Sequence, residues 1–229
     1  MEQPIFQVAI DGPAASGKST VARLLAQRLG GHYLNTGALY RALAWKALSL
    51  GLHPDTHPEE VVEMLKGTTL AYRLRQGAPV LHLDGQEAPQ EALRTPQVAA
   101  VVSQVAKIPA LREWLLEVQR DCRHLGIVIM EGRDIGTVIF PDAKFKFFVT
   151  ASPMERARRR LAQPGEVPPG ATLESIAAAI AERDRIDSTR EVAPLRPADD
   201  AVTVVTDHLT AEEVTAKLAA VIAGVAALP

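Results

Sequence analysis

Residues 12–19 read Gly-Pro-Ala-Ala-Ser-Gly-Lys-Ser and directly follow the largely apolar run Ile5-Phe-Gln-Val-Ala-Ile-Asp11. A buried strand, a glycine-bounded loop, Lys-Ser and then a helix-forming run make a phosphate-binding loop in its expected setting. The loop's N–H groups converge on one small volume, and the N-terminus of the following helix adds partial positive charge there. Gly12 and Gly17 allow backbone angles and a close approach that a Cβ would block. Lys18 can reach the outer phosphates as a point charge, and the Ser19 hydroxyl can hold Mg²⁺. The segment Gly12, Pro13, Ala14, Ala15, Ser16, Gly17, Lys18, Ser19 and Thr20 is therefore expected to bind a nucleoside triphosphate with magnesium.

The rest of the chain alternates strand-like and helix-like periodicities, which points to a parallel α/β sheet flanked by helices, of the P-loop NTPase type. The strand over 5–11 leads to a helix over about 17–29 closed by Gly30-Gly31. A short strand at 32–34 precedes a helix over about 37–50, with Thr36 expected as its cap. Ile127–Met130, Phe145–Thr150 and Val202–Thr206 read as further buried strands. Ser152-Pro-Met-Glu155 and Thr210-Ala-Glu-Glu213 read as capping boxes opening helices. Between Thr68 and Pro89, short strand-like runs separated by Gln76-Gly77 and Asp84-Gly85 predict a small antiparallel meander. Helices at about 58–65 and 97–106 flank it. Antiparallel strands inside a parallel framework mark an inserted subdomain at 54–107, leaving 1–53 and 108–229 as the core. A Pro/Gly-rich stretch, Ala162–Gly170, lies between two helices and is expected as the tip of a mobile lid over about 157–170.

Composition narrows the function classes. A net charge of −2 leaves no excess of cations for binding a nucleic-acid polymer. The single cysteine, Cys122, excludes an intrachain disulfide and a cysteine zinc site. Met1-Glu-Gln-Pro is no secretory leader, and the uncharged run Leu218–Pro229 is too short to cross a bilayer. Its helix, with Val214, Leu218, Val221, Ile222 and Val225 on one face, is expected to pack on the core. A soluble, cytoplasmic protein without a membrane partner is the expectation.

The phosphate loop does not choose the reaction; the arginines narrow it. No Asn-Lys-x-Asp guanine-reading motif is present, which weakens a GTPase reading. Arg133 and Asp134 follow the strand at 127–130, and ligands of open α/β sheets bind at the strands' carboxyl ends. Arg133 can grip a phosphate by its fork; Asp134 can accept from a base amine or orient the arginine. A solvated Arg-Asp turn is the competing reading. Glu131 stands where such proteins often carry an acidic magnesium partner. Arg183, Asp187 and Arg190 share a helical face if the helix persists, as ligands or as a surface ion-pair ladder. Arg156, Arg158, Arg159 and Arg160 are four cations in five residues, which a polyphosphate would neutralise; otherwise they form a solvated basic face. Arg158 is assigned to ATP.

Four strings, Ile10–Thr20, Asn35-Thr-Gly-Ala-Leu-Tyr-Arg41, Glu131-Gly-Arg-Asp-Ile-Gly-Thr137 and Glu182-Arg-Asp-Arg-Ile-Asp187, together resemble the bacterial cytidylate kinases over nearly the whole chain. The resemblance implies phosphoryl transfer from ATP to CMP or dCMP with magnesium, a monomer, and an insert that binds the monophosphate. It implies Lys18, Arg133 and Arg183 as catalytic residues, with Arg41, Arg133 and Arg183 around the acceptor phosphate. It further implies Thr36, Arg112 and Asp134 at the cytosine, and Ser103, Arg183 and Asp187 at the sugar. Family members often carry Ser at the position of Thr36; both supply a hydroxyl. The rival readings are a P-loop kinase for another mononucleotide or small metabolite, and a non-catalytic nucleotide switch.

Overall fold

A computed structural model describes residues 5–163, 167 and 170–224. Most of the expected lid tip, together with Val225, lies outside those residues. In chain order the elements are β1 (Phe6–Asp11), α1 (Lys18–Leu29), β2 (His32–Asn35), α2 (Thr36–Ser49), α3 (Pro58–Met64), β3 (Leu70–Arg75), β4 (Ala78–Leu83) and β5 (Gln86–Glu87). They continue with α4 (Pro96–Val105), α5 (Pro109–Asp121), β6 (Ile127–Gly132), β7 (Phe145–Thr150), α6 (Pro153–Leu161), α7 (Leu173–Thr189), β8 (Val202–Val205) and α8 (Ala211–Ile222).

The chain divides into two compact units, 1–34 with 123–229, and 35–122. The segment 54–107 lies wholly inside the second.

The first unit is built on a five-stranded sheet in the order β2-β6-β1-β7-β8. β1 pairs in parallel with β6 on one side and β7 on the other, and β7 with β8. All six residues of β6 are buried, as a central parallel strand between helical layers requires. Val8, Ile10, Ile129, Phe147 and Val149 of the sheet pack with Val21, Leu25 and Ala26 of α1 and Val214 and Leu218 of α8. Val221 and Ile222 join that cluster half-buried, so the apolar face expected for the last helix is the core face. Gly30 closes α1 in the left-handed conformation, donating to Ala26 and Gln27 carbonyls.

The second unit has its own core, from Leu39 and Leu43 of α2, Leu81 and Leu83 of β4, Val98, Val102 and Val105 of α4, and Leu111 and Leu115 of α5. Its three-stranded antiparallel sheet, in the order β3-β4-β5, is the meander expected from the Gln76-Gly77 and Asp84-Gly85 turns. Gln76, Gly77, Asp84 and Gly85 all have positive φ, the geometry that tight hairpin turns select.

Two caps differ from expectation. Asn35, not Thr36, caps α2: its side chain accepts from the Ala38 amide at 3.2 Å, while Thr36 is already the first helical residue. Asn35 is extended, as a cap must be, and its short amide reaches that N–H directly. At α6 half of the expected capping box forms. Ser152 accepts from the Glu155 amide, but Asp207 takes the Ser152 amide, at 2.9 Å, and Glu155 turns to Arg159, at 3.0 Å. The Thr210–Glu213 box on α8 is complete.

No helix among the described residues is long and apolar enough to cross a membrane.

Gly12 has φ +153°, and a Cβ there would stand 2.0 Å from the Val149 carbonyl oxygen, fixed in β7. Gly51 has φ +72°, and a Cβ there would meet nothing within 4 Å, so alanine at that position faces only the left-handed backbone cost of about 1–2 kcal/mol. Gly12→Ala should therefore lower the urea midpoint clearly more than Gly51→Ala. Equal shifts in equilibrium unfolding would contradict a steric fit between the loop and β7.

Candidate active site

The phosphate loop leaves β1 at Asp11, which is paired with Gly132 of β6. The phosphate loop and the Glu131–Asp134 segment thus emerge from neighbouring strands at the same level. Ala15 and Gly17 take positive φ, at 57° and 87°, and curl the chain into a cradle. Gly17 caps α1 without any side-chain acceptor, and no acid occupies the first turn. The first amides of α1 are thus not answered by a carboxylate on their own helix, the setting in which a helix N-terminus takes an anion.

Lys18 is buried, with Nζ donating to the Pro13 carbonyl at 3.0 Å and lying 3.9 Å from Glu131 Oε2. Burial and the charge of Arg133 push its pKa down to about 7; Glu131 opposes this and Arg183 adds to it. An anion set among these groups would reverse the balance. Glu131 Oε1 accepts from Ser19 Oγ at 2.7 Å and from the Tyr33 hydroxyl at 3.0 Å. A serine hydroxyl touching one buried carboxylate, with tyrosine fixing that carboxylate, is an oxygen donor set suited to a hard divalent cation. Among the described residues no cluster of three or more His, Cys, Asp or Glu could hold a metal by itself.

Arg133 Nε donates to Asp187 Oδ2 at 2.8 Å, linking the end of β6 to α7. Burial would raise the Asp187 carboxyl, but the charges of Arg133 and Arg183, the Arg133 hydrogen bond and Arg190 hold it below the ordinary carboxylate range. Asp134 faces Arg190 at 3.7 Å, and both side chains are buried. Asp134 therefore does not orient Arg133, as its sequence position suggested; Asp187 does. α7 ends at Thr189, and Arg190 turns out of the helix with ψ 142°, so the expected three-residue helical face stops at Asp187.

The α6 arginines are also corrected. Arg156 is buried, donating to the carbonyls of Ala151 at 3.1 Å and Ala14 at 3.3 Å and pairing with Asp184. Arg159 donates to Ser16 O at 3.1 Å, Thr206 Oγ1 at 2.9 Å and Thr206 O at 2.8 Å, besides Glu155. Protein carbonyls and carboxylates already answer these two cations, and through them α6 grips the phosphate loop from behind. Arg158 is exposed, 3.7 Å from Glu155.

In the second unit Thr36 is buried in the first turn of α2, Ser103 is half-buried on α4, and Arg112 is buried on α5. Arg112 lies over the Tyr40 ring at 5.5 Å and donates to Ala106 O at 3.1 Å. The Arg41 guanidinium lies across Gly37, where a Cβ would stand 3.1 Å from its Nη1.

Sequence reasoning missed Asp11, Tyr33, Asp184 and Thr206. Asp11 is fully buried; burial pushes its carboxyl up to about 7 against the pull of the Gly136 and Ile135 amides. Only the position of Asp11, between strand and glycine, hinted at a role. Tyr33 read as an ordinary strand residue.

Comparison with known proteins gives the family. The sequence model of the family described as cytidylate kinase matches residues 8–224. A cytidylate kinase of Bacillus cereus is 40% identical over 220 residues, covering 96% of this chain and 97% of its own. A bifunctional pantoate ligase/cytidylate kinase of Synechocystis sp. is 48% identical over 214 residues, 90% of this chain but 40% of its own length. The chain thus spans about two fifths of these bifunctional cyanobacterial relatives. Among solved structures, an uncharacterized protein from Eubacterium ventriosum aligns over 96% of this chain and 98% of its own, with a TM-score of 0.50 and 10% identity, a likeness of fold alone. On the family match and the Bacillus relative, the chain belongs to the cytidylate kinase family.

Proposed function

We propose that the protein is an ATP-dependent nucleoside monophosphate kinase that transfers the γ-phosphoryl group of ATP to CMP or dCMP. The observation that carries this reading is the packing of Lys18, Ser19-Glu131 and Arg133-Asp187 at adjoining strand ends, in a chain of the cytidylate kinase family. The loop from Gly12 to Thr20 holds the triphosphate, with Arg158 available to it from α6. Magnesium fits the oxygen pair of Ser19 and Glu131, and when bound it would neutralise charge on the donor's outer phosphates.

Phosphoryl transfer asks for alignment, charge neutralisation and exclusion of water rather than covalent work from the protein. Lys18 holds the outer phosphates in place of the Pro13 carbonyl it now touches. Arg133 and Arg183 draw in the acceptor phosphate against its own charge, and Asp187 keeps the Arg133 fork aimed. A monophosphate oxygen is already ionised near neutral pH, with a second pKa of about 6, so no general base is needed. For the acceptor, the reading assigns Arg41 to the phosphate, Thr36, Arg112 and Asp134 to the cytosine, and Ser103, Arg183 and Asp187 to the sugar. Family resemblance supports these roles, and so does the buried or half-buried setting of each polar group within its own unit. The same reading takes the enzyme as a monomer acting in the cytoplasm, and family resemblance supports the monomer.

An acceptor panel with ATP and magnesium tests the reading: CMP and dCMP should give diphosphates with the highest kcat/KM. Preference for a different mononucleotide or for a small metabolite would overturn it. Lys18→Ala should lower kcat on the order of a hundredfold or more, as for other preorganised charge donors. Its thermal midpoint should not fall, because the change removes a buried cation pressed by Arg133. Near-normal turnover in that variant would remove Lys18 from the chemistry.

A further inference from the structure

Asp11 touches no reacting group in the scheme above, yet it is a wholly buried acid at the point where the two loops of the first unit diverge. It ends β1, and the chain turns into the phosphate loop at the next residue. Both carboxylate oxygens are occupied: the Ile135 amide donates to Oδ1 and the Gly136 amide to Oδ2, each at 2.8 Å. Those amides open a single wide turn, 135–139, in which the Val138 and Ile139 amides return to Asp134 O, and Phe140 to Ile135 O at 2.7 Å. The first N–H groups of a helical turn have no partner within it. Asp11 caps this one from 124 residues away.

The consequence falls on the two residues in between. Gly132 is held opposite Asp11 by the sheet, and Ile135-Gly136 is held by the Asp11 carboxylate. Arg133 and Asp134 are therefore suspended between two anchors that share one residue, and that residue adjoins Gly12. A Cβ at Gly136 would stand 3.2 Å from Lys146 Cδ and 3.4 Å from Asp11 Oδ2, so the turn lies in close contact with both side chains. The ionised acid accepts at both oxygens, whereas an amide of the same shape turns an NH₂ toward one of the two N–H groups. Lys18 and Asp134 supply the nearby charges.

We propose that Asp11 is a positioning residue for the acceptor: through the Ile135 and Gly136 amides it sets where Arg133 and Asp134 stand relative to the phosphate loop. This rests on the assignment of CMP as acceptor. Arg133 Nε meets Asp187 at 2.8 Å only if its backbone is held there, and Asp134 meets Arg190 by the same condition. Releasing the turn moves both side chains together while the loop from Gly12 to Ser19 keeps its own anchors on Arg156 and Arg159.

Asp11→Asn, Arg133→Ala and the double variant, each assayed with ATP and CMP beside the wild type, test this. Asp11→Asn should lower kcat/KM for CMP on the order of ten- to a hundredfold, the cost of a misplaced positioning group, with KM for ATP essentially unchanged. In the Arg133→Ala background the same substitution should cost far less, because its route of action is gone. Equal losses toward ATP and CMP, or losses that multiply fully in the double variant, would overturn the proposal. Wild-type protein that makes no CDP would instead defeat the acceptor assignment, which separates the two failures. Hydrogen exchange on the wild-type protein covers the case of a variant that does not fold: the Ile135 and Gly136 amides should be strongly protected. Exchange there at the rate of open amides would also overturn it.

Discussion

The site depends on a cation kept in a dry place. Lys18 is buried beside Arg133 and Arg183, with Glu131 and Asp187 acting against them, and its ammonium is pushed toward neutrality. A folded protein bears that cost where a ligand supplies the missing negative charge. In the proposed function two phosphate-bearing substrates would do so, a triphosphate at the loop and helix terminus and a monophosphate at the arginines. On the proposed reading, clustered cations are what would let a chain of net charge −2 gather anions at one point.

That cluster needs a rigid frame, and the parallel sheet is the frame. Pairing Asp11 with Gly132 puts the start of the phosphate loop level with the exit of the Glu131-Gly-Arg-Asp segment. Gly12 passes so close to the Val149 carbonyl that no other residue fits without moving β7. From behind, Arg156 and Arg159 fasten the loop at Ala14 and Ser16. The loop is thus fixed at its base, crest and back before any ligand arrives, and preorganisation of this kind is what phosphoryl transfer draws on.

What the sequence made legible was local in the chain. The loop over 12–19, the buried runs of β6 and β7, and the hairpin dipeptides of the meander each carry their geometry in consecutive residues. The parallel sheet could be expected because strands and helices alternate, and parallel strands need such crossovers. Partners across the chain were not legible. Arg133 has Asp134 beside it but bonds Asp187, 54 residues on, because α7 brings that carboxylate to the end of β6. Arg156 and Arg159 read as mutually repelling cations because the carbonyls and the Asp184 carboxylate that answer them come from other elements. Asn35 displaced Thr36 as a cap because two adjacent residues could both cap, and only backbone geometry decides between them.

The most direct measurement is the titration of the Lys18 side-chain ammonium by NMR, in the free protein and with a non-hydrolysable ATP analogue bound. The account predicts a pKa near 7 in the free protein and a return toward the ordinary lysine range in the complex, as phosphate charge replaces the Pro13 carbonyl. An ordinary lysine value in the free protein, or a value unmoved by the nucleotide, would contradict it.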